Sequence, residues 1–531
     1  MSGLARRLAG ELIRSGVRHA FGITGSGISY DLIACLEDSG VPFYPVAHEA
    51  AAALMAGACC RDGRLRAAAI GIKGPGLANF IPGILSNRYE GRPALTVSES
   101  YSSAAPAYYM HKRADHAALC GPAAKGYARL DRELRSVGLL AELAVQEAPG
   151  PVHLDISDEP EREPQIRTHP DGESGLPHRE DGGRAFERIL EAVERSRKPA
   201  VVLGSMAARR LGSIRWDRLG VPVLATAAAK GCIDERSAFF GGLVTGEAGK
   251  LSPERNILRE ADLIVGIGLR NTEVVRPIRA EAEIVIVDNA GHELSEGFQA
   301  SAVAHPFDME AAGEELARAL SAKSWGEELL RRYWREVDRE LFREAWLPAL
   351  ALRDVQERLH GKETILVSDT GLFCTIAETV WKARQPSEYC GSGNGRFMGT
   401  SVPTAIGLAV SHPEAAIVCL AGDGGIRPYW AELRLAAELR LKLFVLYMSD
   451  GGYGSIRRAA ASRAGSGKPV EIAGSSWYRP MKAIGWEAVR VRSYREFRRA
   501  LERADLDFPG PLFMEMAFDK TGYTSMTANL R

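Results

Sequence analysis

The chain has no charge bias. Its 67 basic side chains balance 67 acidic ones, which removes the electrostatic case for nucleic acid or an anionic membrane surface as partner. No apolar run approaches the ~18 residues needed to span a bilayer, so no membrane partner is expected. Cysteine is scarce: eight residues occur without metal-ligand spacing, Cys59 and Cys60 are adjacent, and most of the others sit in apolar runs. That usage fits reduced core thiols and a cytoplasmic location. The opening MSGLARRLAGELIRSGVRHAFG carries arginines but lacks a long apolar core and a cleavage site, and reads as an amphipathic first helix rather than a targeting segment.

What the chain does have is length and alternation. Its 531 residues set a soft expectation of three or four domains. Short apolar runs alternate with helical patterns throughout, which is how parallel α/β layers read. AAAIGIKGPG, PALTVSES and PVHLDIS are the strands of a first domain, assigned to residues 1–165. DEPEREPQIRTHPDGESGLPHREDGG is rich in Pro, Gly and charge with almost no apolar periodicity, and reads as a surface linker. A second domain, 183–322, takes its strands from PAVVLGS, VPVLATAA, ADLIVGIGLR and AEIVIVDNAG. Its Gly266-Ile267-Gly268 is a fragment of a dinucleotide fingerprint, too short to carry a nucleotide assignment. A charged, tryptophan-bearing helical stretch over 323–350 leads to a third domain, 351–531. There ETILVSD, EAAIVCLAGDGG, LKLFVLYMSD and PLFMEMAF supply strands.

Two constellations carry chemistry. In the third domain an apolar run opens into Gly422-Asp423-Gly424-Gly425, and Asp450 follows 27 residues after Asp423 in LFVLYMSDGGYGS. A glycine-flanked Asp at one strand end and a second oxygen ligand at another can hold Mg²⁺ against a diphosphate, with backbone N–H groups facing the phosphate oxygens. About 370 residues upstream, Glu49 opens the alanine-rich helix of AHEAAAALMAGACCR. Gly74-Pro75-Gly76 with Asn79 and SNRYEGRPALTVSES follow it. A helix-start carboxylate facing a dry crevice can share a proton with a ring nitrogen.

This set resembles the thiamine diphosphate-dependent enzymes of the acetolactate synthase and benzaldehyde lyase group, over essentially the whole chain. The fold the resemblance implies is α/β, with three open parallel-sheet domains: pyrimidine-binding, central and diphosphate-binding. It implies thiamine diphosphate and Mg²⁺ as cofactors, with Asp423, Asp450 and the Gly452 carbonyl on the metal. Ser449-Asp450 departs from the paired asparagines usual there and adds negative charge. Glu49 matches the acid that faces the aminopyrimidine ring. Met398, in GNGRFMGTSVPTAIGLAV, matches the bulky residue between the cofactor's two rings, and the Arg396 carbonyl matches the acceptor for its amino group. Gly74, Asn79, Gly422, Gly424, Gly425, Tyr453, Gly454 and Ser455 complete the expected cofactor contacts.

His111, in YYMHKRADHAALCGPAAK, takes the place of the family's polar residue at the reacting centre, with His116 and Lys112 as weaker candidates. Gly27 stands where benzaldehyde lyase has a histidine. Arg396, Arg427 and Arg457 flank the cofactor motifs, and would suit an acidic substrate group or the cofactor's phosphates. The implied reaction is decarboxylation of a small-molecule 2-oxo acid, with transfer of the acyl unit to a carbonyl acceptor. Release of an aldehyde, a silent scaffold homologue and a flavin oxidase are the alternatives. FAD in the central domain is left without support by the sequence. The family builds its sites between subunits, which implies a homodimer or homotetramer.

Overall fold

The computed structural model describes residues 3–106, 108–169, 182–247, 249–278, 280–288, 298–344, 346, 348–460, 463, 467–472 and 476–530. The chain divides into two compact units. One holds Met1–Ser174, Val402–Glu414 and Pro428–Leu443; the other holds Gly175–Ser401, Ala415–Arg427 and Phe444–Arg531.

The first unit is built on a seven-stranded sheet. Its strands are β1 (His19–Gly22), β2 (Phe43–Pro45), β3 (Ala67–Gly71), β4 (Ala94–Glu99), β5 (Gly126–Arg129), β6 (Pro151–Ile156) and β7 (Ile166–Thr168), in the order β2-β1-β3-β4-β6-β5-β7. Strands β3, β4 and β6 are buried at every residue, as sheets covered on both faces require. The Glu49–Cys59 helix is likewise buried along its whole length. Its small side chains, met by glycines on the neighbouring segments, let the backbones close in. A Cβ on Gly83 would lie 2.5 Å from the Ala50 carbonyl oxygen, and one on Gly407 would lie 2.5 Å from that of Met55. Strand β7 lies in the stretch read from sequence as linker. It pairs antiparallel to β5, with Arg167 opposite Tyr127, and three residues suffice for an edge of this kind. Residues 170–181 of that linker lie outside the described residues.

The second unit carries two six-stranded sheets. The central one has β8 (Pro199–Leu203), β9 (Val223–Thr226), β10 (Phe240–Val244), β11 (Leu263–Ile267), β12 (Glu283–Val287) and β13 (Ala302–Ala304), ordered β10-β9-β8-β11-β12-β13. The last has β14 (Thr364–Ser368), β15 (Tyr389–Gly391), β16 (Ala416–Gly422), β17 (Leu443–Ser449), β18 (Glu487–Val491) and β19 (Leu512–Ala517), ordered β15-β14-β16-β17-β19-β18. Because β14, β16 and β17 are neighbours, Asp369, Asp423 and Asp450 leave the carboxyl ends of three adjacent strands. Open α/β sheets bind ligands at such ends. The eight cysteines are free thiols, Cys232 half-buried and the rest buried. No described helix is long and apolar enough to cross a membrane.

Candidate functional site

In the first unit Glu49 is the first residue of its helix and is 5% exposed. His48 caps that helix, its Nδ1 accepting from Ala50 N–H at 3.1 Å. The turn before it is tied by a residue that sequence reasoning missed. Buried Glu432 accepts the N–H groups of Ala47 and His48, each at 3.1 Å. No local pattern marks Glu432, which stands 385 residues away in sequence. Asn79 donates its Nδ2–H to Glu49 Oε2 at 3.0 Å. Gly71 and Gly76 flank the carboxylate: a Cβ on the former would lie 3.7 Å from Glu49 Cγ, and one on the latter 3.5 Å from Oε1. A Cβ at 76 would also strike Ile72 Cγ1 at 2.9 Å, so glycine lets the turn pack closely beside the acid.

Gly74 caps the Pro75–Tyr89 helix at φ +62°, a left-handed conformation that glycine tolerates without strain. Its missing side chain admits the Lys112 carbonyl, which packs the backbone at 112 onto the turn. Its N–H donates to His116 Nε2 at 3.0 Å, so in the neutral ring the proton sits on Nδ1, which faces Asp155 Oδ1 at 2.6 Å. His153 Nε2 and the Ser98 hydroxyl also approach Asp155 Oδ1, while the Tyr127 hydroxyl donates to Oδ2 at 2.7 Å.

Buried His116, His153 and Asp155 have the makings of a metal cluster. The Gly74 bond argues against one. A metal on His116 Nδ1 would leave a proton on Nε2, aimed at the Gly74 N–H. The cluster is instead a tie that holds the turn. His111 itself is exposed, and its carbonyl accepts from the Tyr101 hydroxyl at 2.5 Å.

Burial pushes the Asp155 carboxyl up, but the hydrogen bonds from His116 and His153 outweigh it and hold the group well below the usual carboxylate range. A carboxylate depressed in the fold stabilises it above about pH 4 and loses that contribution as pH falls below that value. Asp155→Asn should therefore cost about 3 kcal/mol at neutral pH. The gap to wild type should narrow on acidification, and paired thermal melts across pH will check this.

In the second unit Asp423 is 1% exposed. Its Oδ2 accepts from Asp450 N–H (2.8 Å) and Gly451 N–H (3.0 Å), and its Oδ1 from the Tyr447 hydroxyl (2.6 Å). Burial and the Asp423 charge hold the Asp450 carboxyl well above its ordinary range. Two carboxylates crowded at adjacent strand ends, with Arg457 Nη1 3.4 Å from Asp450, form a hard-oxygen donor set of the kind magnesium takes. Gly452 lies buried beside them, in an isolated bridge to Glu471. A Cβ on Gly454 would come 2.8 Å from Asp450 Oδ2, and Ser455 is exposed in the same short helix.

Close approach also explains the glycines of the turn. A Cβ on Gly424 would meet Tyr453 Cε1 at 2.5 Å and Met398 Sδ at 2.9 Å, and one on Gly422 would meet Phe373 at 2.7 Å. One on Gly425 would meet Asp369 Oδ2 at 2.7 Å. Asp369 is the second residue that sequence reasoning passed over, although it closes the quoted ETILVSD. It is buried and accepts N–H bonds from Thr370 (2.7 Å) and Gly399 (2.9 Å) and the Ser401 hydroxyl bond (2.8 Å), pinning the loop that carries Met398. Met398 is 44% exposed.

Arg396 adopts φ +50° and turns its guanidinium to buried Glu378, at 2.9 Å. Arg457 pairs with Asp450 and Glu471, and Arg427 is exposed. In the central sheet the glycines of the GxG fragment serve packing: a Cβ on Gly266 would lie 2.8 Å from Leu269 Cδ1, and one on Gly268 2.6 Å from the Ala207 nitrogen. The Glu273 carboxylate accepts Ser205 N–H at 2.7 Å, at the start of the Ser205–Arg210 helix.

Three open sheets, the last with acidic groups gathered at its strand ends, place the chain among α/β proteins that bind ligands at such ends. Residues 3–119 match the N-terminal TPP binding domain of thiamine pyrophosphate enzymes, 186–316 their central domain and 369–516 their C-terminal TPP binding domain. The chain belongs to the thiamine pyrophosphate enzyme family. It is 27% identical over 552 residues to the catabolic acetolactate synthase of Raoultella terrigena, covering 96% of this chain and 94% of that protein. It is 22% identical over 529 residues to a probable acetolactate synthase large subunit of Methanococcus aeolicus (90% and 86%). It is 24% identical over 541 residues to 2-hydroxyacyl-CoA lyase 2 of Homo sapiens (90% and 83%).

Proposed function

We propose that the chain is a thiamine diphosphate- and Mg²⁺-dependent enzyme that decarboxylates a 2-oxo acid and passes the acyl unit to a carbonyl acceptor. The observation that carries this reading is the buried Glu49 carboxylate at its helix start, held by Asn79. When bound, the cofactor supplies the electron sink for loss of carbon dioxide.

The residues present fit that group. Asp423, Asp450 and the Gly452 carbonyl would hold the metal, and the closely packed turn at Gly422 to Gly425, with Tyr453, Gly454 and Ser455, would receive the diphosphate. Met398 would sit between the two rings, with the Arg396 carbonyl toward the amino group. Glu49 would hold a proton at the aminopyrimidine nitrogen, and Asn79 would keep its carboxylate oriented. Resemblance to acetolactate synthases favours carboligation over simple release of an aldehyde. On the same grounds the enzyme would be cytoplasmic, and a homodimer or homotetramer whose sites need a second copy.

A second reading is favoured by the 2-hydroxyacyl-CoA lyase relatives: cleavage of a carbon–carbon bond beside a hydroxyl group. The test is product analysis with the loaded protein. Carbon dioxide released from pyruvate, 2-oxobutyrate or phenylpyruvate, with a hydroxyketone formed on adding an aldehyde, supports the first reading. An aldehyde as sole organic product supports simple decarboxylation. Release of an aldehyde from a 2-hydroxyacyl thioester, without carbon dioxide, supports the lyase.

A further inference from the structure

We propose that Lys73 reads the carboxylate of the 2-oxo acid substrate, a role that rests on the reading of Glu49 as the acid of the cofactor site. Lys73 lies on the turn between Gly71 and Gly76, the two glycines that flank Glu49. Its Nζ donates to Glu99 Oε2 at 2.8 Å. Glu99 is the fixed end of this pair. It is buried at the end of β4, and its Oε1 takes the Ser29 hydroxyl at 2.5 Å and the Ser29 N–H at 3.1 Å. Lys73 is the open end, its side chain 26% exposed against 5% for Glu99. The Tyr101 ring lies 5.5 Å from its Nζ and limits where the ammonium can swing.

An ammonium has three N–H donors. Glu99 takes one, and among the described residues no second acceptor stands within hydrogen-bonding distance of Nζ. An incoming carboxylate can use the other two. Glu99 offsets the lysine charge until then, and Ser29 keeps Glu99 in place while the lysine is shared.

The structure also gives Gly27 a reason. A Cβ there would lie 2.9 Å from Glu99 Oε1, so the carboxylate fills the space that a side chain at 27 would take. The polar group at this corner comes from β4 and the Lys73 turn instead. Other candidates for an anion partner are engaged or solvated: Arg396 faces Glu378, Arg457 faces Asp450 and Glu471, and His111 is exposed.

The test uses oxamate, an unreactive anionic isostere of pyruvate, and oxamide, its neutral counterpart. Each is titrated calorimetrically into protein already loaded with Mg²⁺ and thiamine diphosphate. Wild type should bind oxamate at least about tenfold tighter than oxamide, the discrimination expected of a charge-assisted hydrogen bond. Lys73→Met should abolish that preference, and Lys73→Arg should keep part of it. Cofactor affinity should stay within about twofold in both variants, which separates loss of reading from loss of fold. A merely structural ion pair would not move the ratio between the two probes. A preference that survives in Lys73→Met, or no preference in wild type, overturns the proposal. Failure of wild type to bind thiamine diphosphate would instead overturn the cofactor reading, and this inference with it.

Discussion

Glu49→Gln will bind thiamine diphosphate within about threefold of wild type and lose about 10²–10⁴-fold in turnover, the range a positioned proton-transfer group contributes. The separation follows from the local structure. Glutamine keeps the volume of the side chain and an oxygen to accept from Asn79 Nδ2–H, so the buried helix start has no new cavity and no orphaned donor. What the variant lacks is a group that can carry and return a proton at the ring nitrogen. Calorimetry of cofactor binding beside steady-state turnover will read the two effects separately. Wild-type turnover in this variant would remove Glu49 from the chemistry.

Asp423→Ala will lose at least about a hundredfold in Mg²⁺-dependent cofactor affinity. Two things go together here. The metal loses an anionic ligand, and the N–H groups of Asp450 and Gly451 and the Tyr447 hydroxyl lose their shared acceptor. The second loss costs about 1–3 kcal/mol of stability for each buried donor left unpaired. Thermal melts will report that part, and Asp423→Asn, which keeps an acceptor, isolates the metal part. If Asp423→Asn binds the metal-bound cofactor like wild type, Asp423 is a structural anchor and the ligand assignment fails.

The sheets were legible in proportion to their burial. The interior runs β3, β4, β6, β8, β9, β11, β12, β14, β16, β17 and β19 all stand where apolar stretches of sequence predict strands. The six edge strands, β2, β7, β10, β13, β15 and β18, went unmarked, and so did two short interior ones of four residues each, β1 and β5. An edge strand is covered less completely, can be three residues long, and need not be apolar at every position. β7 pairs within a stretch that reads as linker, and β18 exposes Glu487 and Val489. Parallel pairing gives the interior strands two buried faces and hence a continuous signal.

The same physics divides the site. Glu49 with Gly74 to Asn79, and Gly422 to Gly425 with Asp450, are local patterns, because a helix start and a strand-end turn are made by consecutive residues. Glu432 under the Glu49 turn and Asp369 under the Met398 loop act across long sequence separations, 385 and 30 residues. A single carboxylate in an apolar segment gives no sign of which backbone it will meet. Lys73 and Glu99 are 26 residues apart on neighbouring strand ends, and only the β3–β4 register brings them together.

The central claim is that this chain holds thiamine diphosphate through a metal gripped by Asp423 and Asp450. Titration calorimetry of metal-stripped protein with thiamine diphosphate, with and without Mg²⁺, tests it most directly. The account predicts tight binding that requires the metal. Absence of binding under both conditions, or equal binding without Mg²⁺, would contradict it.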